Sequence, residues 1–203
     1  MMATTHALFG AVLAIPTLFF APEYAPVAFA AGVVGGVFPD LDLYADHRKT
    51  LHFPVYYSVA AAVAVGISLL ATGPITVALA VFLFAAAFHS TSDAIGGGLE
   101  LRPWQGTSER AVYNHFRDEW IRSRRWIRYD GAPEDLLLAV CLAVPSVLVY
   151  RKPARTAVLA LVAVSAVYTL CRKPLVDAAE WLVERIPPRF KGRIPERFIE
   201  DLS

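Results

Sequence analysis

Four of the chain's five histidines fall between residues 6 and 89, each at the end of an apolar run or in a polar loop joining two such runs. His6 opens the first run, Pro39-Asp40-Leu41-Asp42 closes the second, Asp46 to His52 leads into the third, and His89-Ser90-Thr91-Ser92-Asp93 closes the fourth. His89 and Asp93 are four residues apart, so on a helix they lie one turn apart on the same face and can share a cation. Neutral imidazole and carboxylate are ligands for zinc, and also for manganese or iron, and no cysteine lies near enough to make a thiolate site. Burying ionisable groups at the end of a membrane span is expensive, and pairing them around a divalent metal offsets that cost. Asp40 is the first choice from the second run, because it ends the helix; Asp42, two residues on, need not point the same way. His6 reads either as a ligand or as a helix-start residue. His47, followed by Arg48 and Lys49, reads either as a ligand or as part of a basic, phosphate-contacting loop. Asp46 reads as a cap and His115 as a surface residue.

The elements that must bring these groups together are apolar helices. The 203 residues are 56% hydrophobic and 18% charged, with a mean hydropathy of +0.47. That composition implies an all-α, polytopic membrane bundle. Six segments approach the roughly 20 residues needed to cross a bilayer: 5–21, 24–38, 53–72, 74–95, 135–150 and 155–171. The first two are short and form a tight hairpin with a kink expected at Pro16, while Pro74 marks the start of the fourth. Gly32, Gly35 and Gly36 give the second span a small face suited to close helix packing, which predicts a central place for it. Cys141 and Cys171 lie in apolar runs and read as inert packing residues.

Four regions follow: a metal-site membrane domain over 1–105, an arginine- and tryptophan-rich interfacial segment over 106–134, two further spans over 135–171, and an amphipathic tail over 172–203. The interfacial segment is expected as a helix or hairpin at headgroup level, and the tail as a helix lying on the same surface. No lysine or arginine precedes Arg48, so the first apolar run lacks the cationic start of a secretory signal and is expected to remain in the protein. Six spans place the N-terminus, the loops 39–52 and 97–133 and the C-terminal tail on one side. That side carries Arg48, Lys49, Arg102, Arg110, Arg117, Arg122, Arg124, Arg125, Arg128, Arg172 and Lys173. The positive-inside rule puts it in the cytoplasm, with the chain in the inner or plasma membrane. A net charge of +1 argues against nucleic acid as a partner. Membrane lipids are the expected surroundings, and a homo-oligomer is compatible with the composition.

In order and spacing, Thr5-His6, the glycine-rich run Gly36 to Asp42, His47-Arg48-Lys49-Thr50-Leu51-His52 and His89-Ser90-Thr91-Ser92-Asp93 resemble the YdjM-like family of membrane-bound metal-dependent hydrolases, over roughly residues 1–105. That family in turn resembles the zinc-dependent phospholipase C and single-strand nuclease superfamily. The resemblance implies His6, Asp40, His52, His89 and Asp93 as metal ligands. The chain departs from the family at Gly96, where threonine is frequent, and at Leu51-His52-Phe53, where Thr-His-Ser is frequent. The expectation is a membrane-embedded hydrolase that cleaves a phosphoester, lipid-linked ones included, through a metal-activated water, with zinc the first choice of metal. Asp42 is the expected base or second ligand, Arg48 (or Lys49) the group offsetting phosphate charge, and Glu100, past the glycines 96–98, an acid within reach of the site or a solvated loop residue. The alternative is a non-enzymatic membrane protein with a structural metal site or a cytoplasmic partner-binding surface. A transporter fits less well, because the polar residues crowd one surface and leave mid-depth apolar.

Overall fold

A computed structural model describes residues 1–186. The helices are α1 (Ala3–Leu13), α2 (Thr17–Phe20), α3 (Ala25–Val37), α4 (Pro54–Leu70), α5 (Pro74–Ser92), α6 (Pro133–Val149) and α7 (Ala154–Arg185), with a hairpin of β1 (Arg110–Asn114) and β2 (Glu119–Arg122) between α5 and α6. Each of the six expected apolar runs is helical. Four stretches, Ala3–Phe20, Pro22–Leu43, Pro74–Ile95 and Ala154–Arg185, are long and apolar enough to cross a membrane, and Pro54–Leu70 is a shorter apolar helix. Pro16 acts as anticipated: lacking an N–H, it splits the first run into α1 and α2 with a turn between them.

The helices stand in a row in which neighbours touch, α4 on α5, α5 on α3, α3 on α1, α1 on α6 and α6 on α7, and α1 also reaches α5 and α7. The central place therefore belongs to α1 rather than to the glycine-rich α3. Residues Thr5 to Leu8, Gly10 and Ala11 of α1 are all buried, whereas α3 is enclosed on the side of its small residues. Those glycines do what small faces do in lipid. A Cβ on Gly32 would stand 2.3 Å from the carbonyl oxygen of Gly10, one on Gly36 2.3 Å from that of His6, and one on Gly35 2.3 Å from that of Phe82. Backbones at such separations exclude any side chain, so α3 is clamped against α1 on one side and α5 on the other.

Of the two forms expected for the interfacial segment, helix or hairpin, the chain adopts the hairpin. Val112 pairs with Ile121 and Tyr113 with Trp120, and the register shifts between Arg110 and Val112. The hairpin is tied to the helix ends through backbone bonds from Tyr113 N–H to the Arg48 carbonyl (2.9 Å), Arg124 N–H to that of Ala94 (2.9 Å) and Ile127 N–H to that of Ile95 (3.1 Å). The tail also departs from expectation. It continues the last span as one 32-residue helix up to Arg185, about 48 Å long, against a hydrocarbon core of about 30 Å. The charges at and beyond the junction are paired. Arg172 makes a two-pronged ion pair with Asp130 at 2.8 and 3.1 Å, and Arg102 pairs with Glu180. The tail from 187 to 203 lies outside the described residues.

Candidate metal centre

Each group of the centre is placed by a helix end. His89 occupies the last turn of α5, and Asp93 follows one turn later as the chain tightens into a 3-10 turn. Asp40 sits in the 3-10 stretch Phe38–Tyr44 that continues α3, and His52 lies just before α4. The close approach that Gly36 permits has a second effect. Its carbonyl oxygen lies 2.6 Å from Nδ1 of His89. A carbonyl only accepts, so Nδ1 must carry the proton, and whenever the ring is neutral Nε2 turns its lone pair inward. His52 is fixed in the same sense: its Nδ1 meets the Asp42 carboxylate at 2.9 Å, leaving Nε2 to face the centre.

Four groups consequently converge. Nε2 of His52 and of His89 are 3.2 Å apart. His89 Nε2 is 3.3 Å from Asp40 Oδ1 and 3.5 Å from Asp93 Oδ2, and His52 Nε2 is 3.8 and 3.3 Å from the same two oxygens. Ligands at 2.0–2.1 Å from a tetrahedral zinc are about 3.3–3.4 Å apart; these five separations lie close to that edge length, and one ligand atom from each of the four residues falls within 4.8 Å of all the others. With both Nδ1 atoms protonated, every inward atom is an acceptor. Such a set is stable only around a cation, whether a metal ion or protons on the imidazoles. Burial opposes the imidazolium of His52, but hydrogen bonding to Asp42 and Asp93 outweighs it and raises its pKa above the ordinary value. The residues therefore fit a divalent metal.

His6 and Arg48 flank the four. His6 is buried, stacks on the His89 ring at 3.7 Å and puts Nε2 3.4 Å from Oδ1 of Asp93, the oxygen turned away from the tetrahedron. Neither of its ring nitrogens has a hydrogen-bond partner, an unusual state for a buried imidazole. Arg48 adopts a left-handed backbone, φ 59°, which arginine seldom does outside a constrained site. It donates from Nη1 to the Gly97 carbonyl at 2.7 Å and brings Nε to 3.5 Å from Asp93 Oδ2.

Other sequence candidates stand outside the tetrahedron. Asp42 is buried with both oxygens engaged, by His52 and the Leu51 N–H on one and by His47 and the Arg48 N–H on the other. His47 touches Asp42 rather than the centre, its ring 5.8 Å from that of His52. Glu100 turns to Arg125, 3.5 Å away, and its buried oxygens pack against Gly98. His115 donates from Nε2 to the Lys49 carbonyl at 2.7 Å. Lys49 itself lies over the Tyr113 ring, and Asp46 contributes its carbonyl to the turn that shapes Arg48.

One supporting residue carried little sequence signal. Asp135, fully buried in the first turn of α6, accepts from Thr5 Oγ1 (2.7 Å), Met2 N–H (2.7 Å) and Gly131 N–H (3.1 Å). It pins the start of α1, and so His6. An acid opening the apolar run 135–150 was the available clue. Compared with known proteins, the chain matches no family model and has no significant counterpart among curated proteins or solved structures.

Proposed function

We propose that the protein is a metal-dependent phosphoester hydrolase with about six membrane spans and its site at the cytoplasmic surface. One observation carries the proposal: four inward-facing acceptor atoms, two of them imidazole nitrogens fixed as acceptors by their outer hydrogen bonds, lie at the spacing of a tetrahedral metal shell. When bound, a metal such as zinc supplies hydroxide near neutral pH and Lewis acidity toward a phosphoryl oxygen.

The residues divide the remaining work. Asp40, His52, His89 and Asp93 hold the ion. Asp42 holds His52 in the ligating tautomer, a task that occupies the carboxylate and replaces the role of base foreseen for it. Arg48, beside Asp93, offsets charge on a phosphate placed at the ion. His6 and the N-terminal ammonium of Met1 both approach the outer oxygen of Asp93, at 3.4 and 3.2 Å, and would hold that carboxylate in place behind the ion. Hydrolysis adds one water across the ester: oxygen bonds to phosphorus, the P–O ester bond breaks, and the leaving oxygen departs with a proton.

A specific feature favours the rival reading of a structural metal site, because four protein ligands close a tetrahedral shell. Against it, Asp40 has 23% of its side chain exposed while the other three are buried, and it lines a large cavity. The shell therefore has an accessible side. The deciding experiment measures metal content of detergent-purified protein and phosphodiester release with and without chelator. Bound metal with chelator-sensitive turnover is expected. Bound metal with no turnover over a broad phosphoester panel assigns the structural role, and absence of metal sinks both.

A further inference from the structure

The left-handed backbone of Arg48 is a conformation that arginine does not favour, and one that persists only where its surroundings over-determine it. Part of the hold is local. The Asp46 carbonyl accepts from the N–H groups of Lys49 (3.0 Å) and Thr50 (2.9 Å), and Asp42 accepts from that of Arg48 (3.4 Å). The rest comes from the hairpin. Three alternate residues on and just past β1 meet the turn: the Ala111 carbonyl accepts from Arg48 Nη1 at 3.4 Å, Tyr113 N–H donates to the Arg48 carbonyl at 2.9 Å, and His115 Nε2 donates to the Lys49 carbonyl at 2.7 Å. The last is the shortest of the three and the one in which the hairpin uses a side chain. That side chain is itself fixed, its ring 4.6 Å from the ring of Phe53 and 5.0 Å from that of Tyr113. Phe53 directly follows the ligand His52, so His115 ties the Arg48 turn to the start of α4.

Resting on the hydrolase reading above, which gives Arg48 the phosphate, we infer that His115 is a positioning residue: it clamps the left-handed turn that aims the Arg48 guanidinium at the metal centre, which makes the hairpin part of the site. The guanidinium needs such a clamp. Its Nη1 is held by the Gly97 carbonyl, but Nε has no hydrogen-bond partner and stands 3.5 Å from Asp93 Oδ2. A turn released from His115 relaxes toward negative φ, and the side chain it carries then leaves Asp93 and the ion. His115 acts through Arg48 alone, so its loss weakens the hold on phosphate and leaves the metal in place.

The test uses the full chain in detergent, loaded with zinc and titrated calorimetrically with inorganic phosphate, with zinc content measured for every variant. His115→Phe keeps a ring between Phe53 and Tyr113 but removes the donor. It is expected to bind phosphate about tenfold more weakly, an effect within the range found inside one hydrogen-bond network, with zinc content unchanged. His115→Gln puts an amide N–H where Nε2 stood and is expected to restore affinity to within about twofold of the unaltered protein. His115→Asn, whose shorter amide does not reach the Lys49 carbonyl, is expected to match His115→Phe, so the Gln and Asn variants decide the matter where the phenylalanine variant fails to fold. Arg48→Gln is expected to lose at least as much, and adding His115→Phe to it to cost nothing further, because two residues acting as one unit are not additive. Phosphate affinity untouched by His115→Phe or by Arg48→Gln, no rescue by glutamine, losses that add, or loss of zinc from the His115 variants each overturns the inference while leaving hydrolysis standing. The expected pattern with no hydrolysis of any ester upholds the clamp and overturns the enzyme reading alone.

Discussion

Asp42 separates what a carboxylate does at a distance of one hydrogen bond from what it does as a ligand. It never faces the tetrahedron, yet it fixes the proton on His52 Nδ1 and braces the Arg48 turn. The Asp42→Asn variant is expected to fold and to bind zinc about 10- to 100-fold more weakly, the usual loss for a partner behind a ligand, as read by competition with a chelating dye. His89→Ala, which deletes a ligand, is expected to abolish stoichiometric binding in the same assay. If the two variants bind alike, Asp42 has been misplaced. At this scale the sequence is informative where spacing fixes direction. His89 and Asp93, four apart on a helix, could be paired from the sequence alone. Asp40 and Asp42 could not be told apart by spacing, because their stretch is 3-10 and a two-residue step does not set which faces inward. His47 and Glu100 had suitable chemistry, but their directions depend on Asp42 and Arg125, partners that no local pattern reveals.

Among the elements, the contacts of α3 are the most constrained. An alanine methyl at Gly36 would meet the backbone oxygen of His6 at 2.3 Å, and backbone cannot swing aside as a side chain can. Gly36→Ala is expected to destabilise the protein by at least the ~1–3 kcal/mol typical of overpacking. Because Gly36 also holds His89, the variant is expected to lose zinc affinity at temperatures where it remains folded. Gly66 in α4 is the internal control. A Cβ there meets nothing within 4 Å, so Gly66→Ala is expected to be neutral or to stabilise by up to about 1 kcal/mol. Thermal unfolding of both variants in detergent tests the pair, and equal effects would refute the packing account. Helix identity and the break at Pro16 were legible because apolar runs and proline act locally. The hub role of α1 was not, since its burial is supplied by four neighbouring helices and Asp135. Nor was the continuity of α7 past Arg172 and Lys173, whose charges are answered by Asp130 and by the ring of Trp104.

For the molecule as a whole, charge and chemistry collect at one end. The centre, the cavity and the hairpin share it, while the opposite end has the Ala71–Gly73 turn and the Arg151–Pro153 link. Four acceptors held together without a cation repel one another, so the ion should strengthen the entire bundle. By mass action, free zinc at 100 times its dissociation constant adds about 2.7 kcal/mol, and a chelator is expected to lower the unfolding temperature reversibly. The same polarity predicts an orientation. The arginines of the hairpin and of the adjoining loops outnumber the basic residues of the opposite end, and positive loops stay in the cytoplasm. Phe116, exposed at the hairpin tip, and Thr72, exposed in the turn between α4 and α5, should therefore lie across the bilayer from each other. With Cys141 and Cys171 replaced by alanine, Phe116→Cys is expected to react with an impermeant maleimide only in inside-out vesicles, and Thr72→Cys only in right-side-out ones. Labelling of both from one side would remove the bilayer from between them. Labelling in the reverse sense would keep the bundle but put the metal centre, and any phosphoester it cleaves, outside the cell.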